Sequence, residues 1–456
     1  MRKNSKIHPS PLHILSPGQM MVAGFVFLIL LGAVFLTSPL SSANGTSTSF
    51  IDALFTATSA VCVTGLVVVD TSIHWSIFGK VVIILLIQVG GLGFMTLGTL
   101  VALIFGKKIN LRQRILIKEA LNQDDLSGSV KLIKKVLKYT LVIEGLGALL
   151  LSFAFIPQFG FLKGIGYSIF TSISSFCNAG FDLMGSISGE YSSIVSYYNR
   201  PLIVFTISAL IILGGIGFPV IINIVNKRHL KKLSLNSKMA LVTTAILIVG
   251  GFLMIFLGEV GHALHGMTLW EKFQVAFFQS VTTRTAGYAT IDLTQFREST
   301  LFVMIILMFI GASPASTGGG IKTTTAAVLF IAVKSFIKNE NEITVQHKRI
   351  NVFTFRKALG IFIIAIIIAV LGVYLLSITQ DPKHFDILSC SFEVSSALAT
   401  VGLSLAGSYH LNGVGKVIIM VLMFAGRVGS LTIFTAFISE NKRKRVRYPE
   451  AKVLVG

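Results

Sequence analysis

The 456-residue chain is 53% hydrophobic and only 13% charged, with a mean hydropathy of +0.80 and a formal net charge of +20. Soluble domains carry about 25% charged residues, so this composition excludes an ordinary soluble domain. Three cysteines provide neither an even disulfide framework nor metal-ligand spacing.

Apolar runs long enough to cross a bilayer recur along the whole chain. The first, 20–37, indicates a membrane anchor rather than a removed signal peptide, because no compelling small-x-small cleavage site follows it. Later runs cover 81–105, 139–156, 202–225, 239–257, 358–377 and 417–438, and the run 301–310 resumes at 326–333 after a break. The pattern predicts an all-α polytopic membrane protein with eight transmembrane helices.

Lysine and arginine cluster after every second apolar run. Examples are "GKKINLRQR", "NKRHLKKL" and the tail "NKRKRVR", whereas loops such as "PLSSANGTSTSFID" are nearly free of them. Basic cytoplasmic loops are typical of membrane proteins, so both termini are expected in the cytoplasm. The positive charge therefore indicates topology and attraction to anionic lipid rather than nucleic-acid binding.

Four polar segments share one layout, and each lies between two consecutive apolar runs. They are "FTATSAVCVTGL", "FTSISSFCNAGF", "FFQSVTTRTAGY" and "FEVSSALATVGL", and their glycines are Gly65, Gly180, Gly287 and Gly402, spaced 107 or 115 residues apart. Each segment is long enough for a helix of about half the membrane thickness. The layout predicts four pseudo-symmetric repeats of span, re-entrant hairpin and span, with four pore half-helices around one pore.

The expected boundaries follow from these repeats. They are a cytoplasmic N-terminus (1–16), repeat 1 (17–106), a linker (107–138), repeat 2 (139–226), a linker (227–238), repeat 3 (239–334), a linker (335–357), repeat 4 (358–439) and a cytoplasmic tail (440–456).

The four glycine turns predict a cation filter made of backbone carbonyls. Irregular backbone at membrane depth persists only where protein buries it or where it lines water, and glycine allows the chain to turn its carbonyls toward an axis. A carbonyl ring replaces the hydration shell of an alkali cation. The predicted potassium-binding residues are Val63, Thr64, Gly65, Asn178, Ala179, Gly180, Thr285, Ala286, Gly287, Thr400, Val401 and Gly402.

These hairpins, together with "GASPASTGGGIKTTT" and "GRVGS", resemble the Trk/Ktr/HKT superfamily of potassium transporter membrane subunits, most closely the bacterial KtrB/KtrD branch. The resemblance covers essentially the whole chain. It implies potassium uptake across the bacterial plasma membrane, with Na+ as activator. It also implies a homodimer with one pore per protomer and a cytosolic, nucleotide-binding RCK ring of the KtrA/KtrC type as regulator.

The segment Gly311–Thr325 interrupts the second span of repeat 3. A proline and four glycines in an apolar run are incompatible with an unbroken helix. We expect an intramembrane gate that includes Gly318, Gly319, Gly320 and Lys322, and a simple helix kink is the alternative. Lys322 either faces the pore or anchors the loop.

Arg427 is a lone charge deep in the last span, where an unpaired cation costs several kcal/mol. The resemblance assigns it to a cation barrier below the filter and so to the gate. The alternative is a paired structural arginine.

Four further charged residues lie near the hairpins. Arg284 is expected to pack behind the filter, paired with an acid such as Glu393 or Asp292, because a cation facing the ion path would repel K+. Asp70, Asp182 and Asp292 either concentrate cations at the pore mouth or are solvated loop acids.

Motifs of catalysis are absent from the sequence: it has no Gly-x-Ser-x-Gly, no Walker motif and no His-Glu-x-x-His. The chain is therefore expected not to be an enzyme and to need no covalent cofactor. The alternative function is a secondary transporter of another cation or a small solute, although such proteins usually have two repeats rather than four.

Overall fold

A computed structural model describes residues 17–93, 129–227, 229–340 and 342–429. The predicted N-terminus 1–16 and the tail 440–456 lie outside these residues, as do most of the first linker and the ends of repeats 1 and 4. The described chain is almost entirely helical.

The first span of each predicted repeat is a long apolar helix, and in repeats 2, 3 and 4 this helix begins before the predicted boundary, inside the preceding linker. These four helices are Pro17–Thr37, Ser129–Phe159, Leu235–Glu259 and Val352–Thr379. Their lengths and hydropathies suit membrane crossing, and a fifth candidate is a bent pair in repeat 2. The remaining apolar helices are shorter, so the count of eight spans stays a prediction.

A shorter helix follows in each repeat and ends three to five residues before the repeat's turn glycine. We call these four the turn helices: Phe50–Cys62, Phe161–Phe176, Leu269–Thr282 and Ile387–Ala399. The third begins with a capping box in which Thr268 and Glu271 satisfy each other's backbone N–H groups. In the first and last, nearly every residue of the final two turns is buried, so these helices form the centre of the molecule.

The chain then returns through a third helix. These return helices are Ile77–Leu92, Pro201–Gly215, Glu298–Phe309 and Gly413–Val428. In repeat 2 the chain bends by 95° and continues as Phe218–Lys227. In repeat 3 it passes through the predicted break and continues as Thr323–Ile337.

Glycines in the return helices allow close contact with the turn helices. A Cβ built on Gly90, Gly214 or Gly426 would collide with a backbone carbonyl oxygen in the last turn of the same repeat's turn helix. These carbonyls belong to Val61, Phe176 and Leu398. These glycines of the return helices in repeats 1, 2 and 4 therefore have a packing reason, because only hydrogen fits at the contact.

Repeats 1 and 4 are adjacent in space although they are the first and last repeats of the chain. The return helix of repeat 4 packs against the first turn helix, and the Lys416 Nζ to Asp52 Oδ1 ion pair of 2.6 Å joins them. The short elements are the one-turn helix Gly185–Ser188, the 3-10 turns Pro39–Ser41, Val195–Tyr197, Leu230–Lys232, Leu293–Gln295 and Ser408–His410, and the paired strands Thr344–Val345 and Lys348–Arg349.

Candidate functional site: the glycine ring and the loop beneath it

The four turn glycines lie together in a closed ring. A Cβ built on Gly65 would come within 2.5 Å of the Ala179 carbonyl oxygen, and one on Gly180 within 2.6 Å of the Ala286 oxygen. One on Gly287 would come within 2.7 Å of the Val401 oxygen, and one on Gly402 would collide with the Thr64 oxygen. Each glycine thus touches the carbonyl preceding the next glycine, and repeat 4 closes on repeat 1.

The backbone enters this ring in the same strained conformation in every repeat. The residue two positions before the glycine has positive φ: 56° at Val63, 59° at Asn178, 66° at Thr285 and 52° at Thr400. Three of these are β-branched, for which positive φ is an outlier. Such strain persists where surrounding structure over-determines it, typically at functional sites.

Helix ends and hydroxyl groups support the ring. The turn helices direct their C-termini, which carry partial negative charge, toward the glycines. Ser59 Oγ accepts from Gly65 N at 3.1 Å, and Ser396 Oγ accepts from Gly402 N at 3.0 Å. In repeats 2 and 3 a hydroxyl instead donates to the carbonyl after the glycine: Ser174 to Phe181 and Thr282 to Tyr288, each at 2.7 Å.

All twelve predicted filter residues therefore belong to one structural unit. Every one except the half-buried Gly287 is buried. The unit presents four backbone carbonyls beside four glycines, with helix C-termini around them, which is an arrangement suited to a desolvated cation.

The broken segment of repeat 3 lies directly against this unit. We call residues 313–320 the loop. A Cβ on Gly318 would collide with the Thr285 hydroxyl, and a Cβ on Gly319 with the Thr400 hydroxyl. Three backbone hydrogen bonds also tie the loop to the bend of repeat 2: Ser313 N to Gly215 O (2.9 Å), Thr317 N to Gly214 O (3.3 Å) and Phe218 N to Ala315 O (3.0 Å).

Lys322 and Arg427 hold the loop from other sides. Lys322 Nζ donates to Gly318 O at 2.7 Å, so it anchors the loop's own backbone. The Arg427 guanidinium donates to the carbonyl oxygen of Thr317 in the loop, and also to those of Gly90 and Gly91 in repeat 1 (3.1 Å to Gly91). All the predicted gate residues thus meet at the loop.

Arg284 is buried, but its partner differs from the prediction. It is 5% exposed behind the third glycine turn. Its Nη2 donates to Gly311 O at 3.4 Å, and none of the three ion pairs found among the described residues includes it. The pairing with Glu393 or Asp292 was wrong: Glu393 instead accepts from the hydroxyls of Ser404 and Ser408.

The acids that follow the glycines cap turns. Asp70 accepts from the backbone N–H groups of Ser72 (2.8 Å), Ile73 (3.0 Å) and Tyr191 (2.9 Å), and thereby joins repeats 1 and 2. Asp292 accepts from Thr294 N at 3.0 Å. Burial raises the pKa of Asp182 to about 6; the Met184 N–H opposes the shift, and the charge of Asp70 adds to it.

Sequence reasoning missed two features, a bend and a contact. The bend of repeat 2 was hidden in a continuous apolar run, although "GGIGF" marks it and Gly217 has φ of 92°. The Asn178 side chain contacts the loop through Thr317, and no local pattern connects residues so distant in sequence.

The known proteins that this chain resembles in sequence are named as cation transport or potassium uptake proteins. A sequence model of the TrkH family, described as cation transport protein, matches residues 18–446. The chain is 43% identical to the potassium/sodium uptake protein NtpJ of Enterococcus hirae, over 97% of this chain and 98% of that protein. It is 39% identical to the Ktr system potassium uptake protein B of Bacillus subtilis, over 97% of each chain.

A solved structure shares the fold. The potassium transporter TrkH from Vibrio parahaemolyticus superposes with a TM-score of 0.74 at 18% identity, covering 94% of this chain and 87% of that one.

Proposed function

The chain belongs to the TrkH family of cation transport proteins, and on this premise we propose that it is the channel-like potassium-translocating subunit of a Ktr-type uptake system. The observation that carries the proposal is the closed ring of Gly65, Gly180, Gly287 and Gly402 with its adjoining carbonyls. Relatives that are 37–43% identical over nearly their whole length and are named as potassium uptake proteins support it. The family is one of transporters, not of enzymes.

Potassium binds, on this proposal, to the backbone oxygens of the twelve filter residues. The carbonyls replace the hydration shell, and the C-terminal ends of four turn helices add a favourable field. Because backbone rather than side chains supplies the oxygens, the four turns tolerate the different sequences VTG, NAG, TAG and TVG.

The loop closes the path on the side of the ring where the turn helices end. Gly318 and Gly319 lie against the side chains that precede two of the turn glycines. Lys322 and Arg427 place two cationic groups at the same level, where they oppose passage of K+. Gly318, Gly319, Gly320, Lys322 and Arg427 form the proposed gate.

Sodium is the proposed activator of potassium uptake. The name of the Enterococcus relative, a potassium/sodium uptake protein, supports a role for both ions.

The proposed assembly is a homodimer in the bacterial plasma membrane with both termini cytoplasmic. A cytosolic nucleotide-binding ring of the RCK type regulates it. The names of the Bacillus relatives, proteins B and D of the Ktr system, support a system with further components. The basic segments between repeats supply a cytoplasmic docking surface for an acidic partner.

Potassium-limited growth of a bacterial strain lacking its own uptake systems tests the function. Expression of the chain should restore growth, more strongly with added Na+ and a matching regulatory ring. Protein that reaches the membrane without restoring growth would contradict the proposal. Uptake of an organic solute that K+ does not compete with would favour the secondary transporter instead.

A further inference from the structure

The loop and the second glycine turn are joined by side chains as well as by packing. Thr317 Oγ1 lies 3.0 Å from Asn178 Oδ1 and 3.1 Å from Phe176 O, and it donates to both. The single hydroxyl proton is therefore shared between the last turn of a turn helix and the residue two positions before Gly180.

Both polar atoms of the Asn178 side-chain amide form hydrogen bonds. Its Nδ2 donates to Arg284 O at 3.2 Å and to Thr285 Oγ1 at 3.4 Å, both in the turn of repeat 3. The side chain is fully buried, so no water replaces a lost partner cheaply. Asn178 thus links three parts: the loop, the second turn and the third turn.

The position of Asn178 determines where a ring carbonyl lies. Its backbone, at φ of 59°, leads directly into Ala179, whose carbonyl oxygen lies beside Gly65. A rotation at Asn178 therefore moves one of the four carbonyls of the ring.

The other three turns have no equivalent link. Val63 has no polar side-chain atom, and the Thr400 hydroxyl is buried without a hydrogen-bond partner. The Thr285 hydroxyl accepts from Asn178 rather than bonding to the loop. Among the described residues, the second turn is the only one whose residue at this position hydrogen-bonds to the loop through its side chain.

We propose that Asn178 is a positioning residue for ion selectivity, and that the seated loop holds it through Thr317. The inference rests on the proposed potassium-transport function and adds to it. When the loop withdraws, Asn178 loses its donor and the Ala179 carbonyl loses its fixed position. Gate opening and filter geometry are then coupled, and by reciprocity K+ in the filter favours the seated loop.

The test measures equilibrium binding of K+ and of Na+ to the purified full-length protein, in which the loop is seated, together with K+ flux in lipid vesicles. Thr317→Val keeps the shape of the side chain and removes its donor. The ratio of the K+ and Na+ binding constants should fall about five- to tenfold, which corresponds to the ~1–1.4 kcal/mol of one hydrogen bond. Ser316→Ala is the matched control, because its hydroxyl donates only to Ser313 O inside the loop, and it should leave the ratio unchanged.

A double-mutant cycle isolates the link. Asn178→Gly removes the amide and tolerates positive φ, and it should lower the ratio similarly or more. Adding Thr317→Val to it should cause no further loss, because the shared hydrogen bond is already gone.

Three results would overturn either the positioning role of Asn178 or the proposed function. A Thr317→Val variant that changes the flux but not the ratio overturns the positioning role and leaves the gate intact. Additive losses in the double mutant also overturn it. An unmutated protein that carries no K+ flux contradicts the proposed function itself.

Discussion

Gly402→Ala tests the carbonyl ring at its most crowded point. The added Cβ would collide with Thr64 O and lie 3.0 Å from the Cα of Gly65 and 3.1 Å from that of Gly287. These atoms belong to the backbone of two other quarters, and normal carbon contacts begin near ~3.5 Å. The ring must therefore widen by about 1 Å at Thr64 O and by about 0.5 Å at the two Cα atoms.

The expected magnitude follows from the strain. A non-glycine residue at φ of 96° costs about 1–3 kcal/mol before any collision is counted. If the ring relaxes by moving carbonyls away from the ion, a comparable amount is lost from K+ binding. The half-saturating K+ concentration should then rise about 5- to 150-fold, and discrimination against Na+ should fall.

The assay is K+ uptake as a function of external K+, in cells with equal amounts of protein in the membrane. Gly189→Ala is the matched control, because Gly189 has φ of 105° but a Cβ there meets open space. It carries the same kind of backbone strain and should leave the affinity for K+ unchanged. Equal affinities for the Gly402→Ala variant and the unmutated protein would refute the carbonyl filter.

The remaining predictions concern charge. Arg427→Ala should raise the maximal K+ flux with little change in half-saturation, because it removes a cationic group from the loop that closes the path. A barrier lower by ~1.4 kcal/mol corresponds to a rise of about tenfold. Arg427→Lys should restore a low flux, and loss of Arg427→Ala protein from the membrane would indicate a purely structural clamp. Uptake at low K+ should fall as external pH drops through 6, because the Asp182 carboxylate, whose pKa is raised to about 6, loses its negative charge below that value and with it the attraction for K+. Asp182→Asn should abolish the pH dependence, and an unchanged pH profile in that variant would contradict it.

The features that follow from local chemistry could be predicted from the sequence. Glycine at a turn and a Pro- and Gly-rich break in an apolar run each act on their own few residues. The four glycine turns and the interrupted span of repeat 3 are therefore visible in the sequence, and the turn helices end next to those glycines.

Features that depend on contacts between repeats were missed or were wrong. Arg284 was expected to pair with an acid because a buried charge needs compensation, but it donates to the Gly311 carbonyl. The hydroxyl groups that support the ring act alike in repeats 1 and 4, through Ser59 and Ser396, and act alike in repeats 2 and 3.

The bend of repeat 2 shows why such features escape a linear sequence. Carbonyls at Gly214 and Gly215, which precede the bend, accept from the N–H groups of Thr317 and Ser313. The bend therefore exists together with a loop about a hundred residues further along the chain. Neither segment alone indicates that the other will satisfy its backbone groups.

This shared backbone bonding sets the energy that the proposed regulator must supply. Three backbone hydrogen bonds join the loop to the bend, and at about 1 kcal/mol each they favour the seated loop by about 3 kcal/mol. An equilibrium of that size leaves the loop withdrawn in about one molecule in 150. A partner that binds the withdrawn state about 10⁴-fold more tightly would make it dominant. In the proposed assembly, a nucleotide-binding ring on the basic cytoplasmic segments would need only this differential affinity to open the proposed gate.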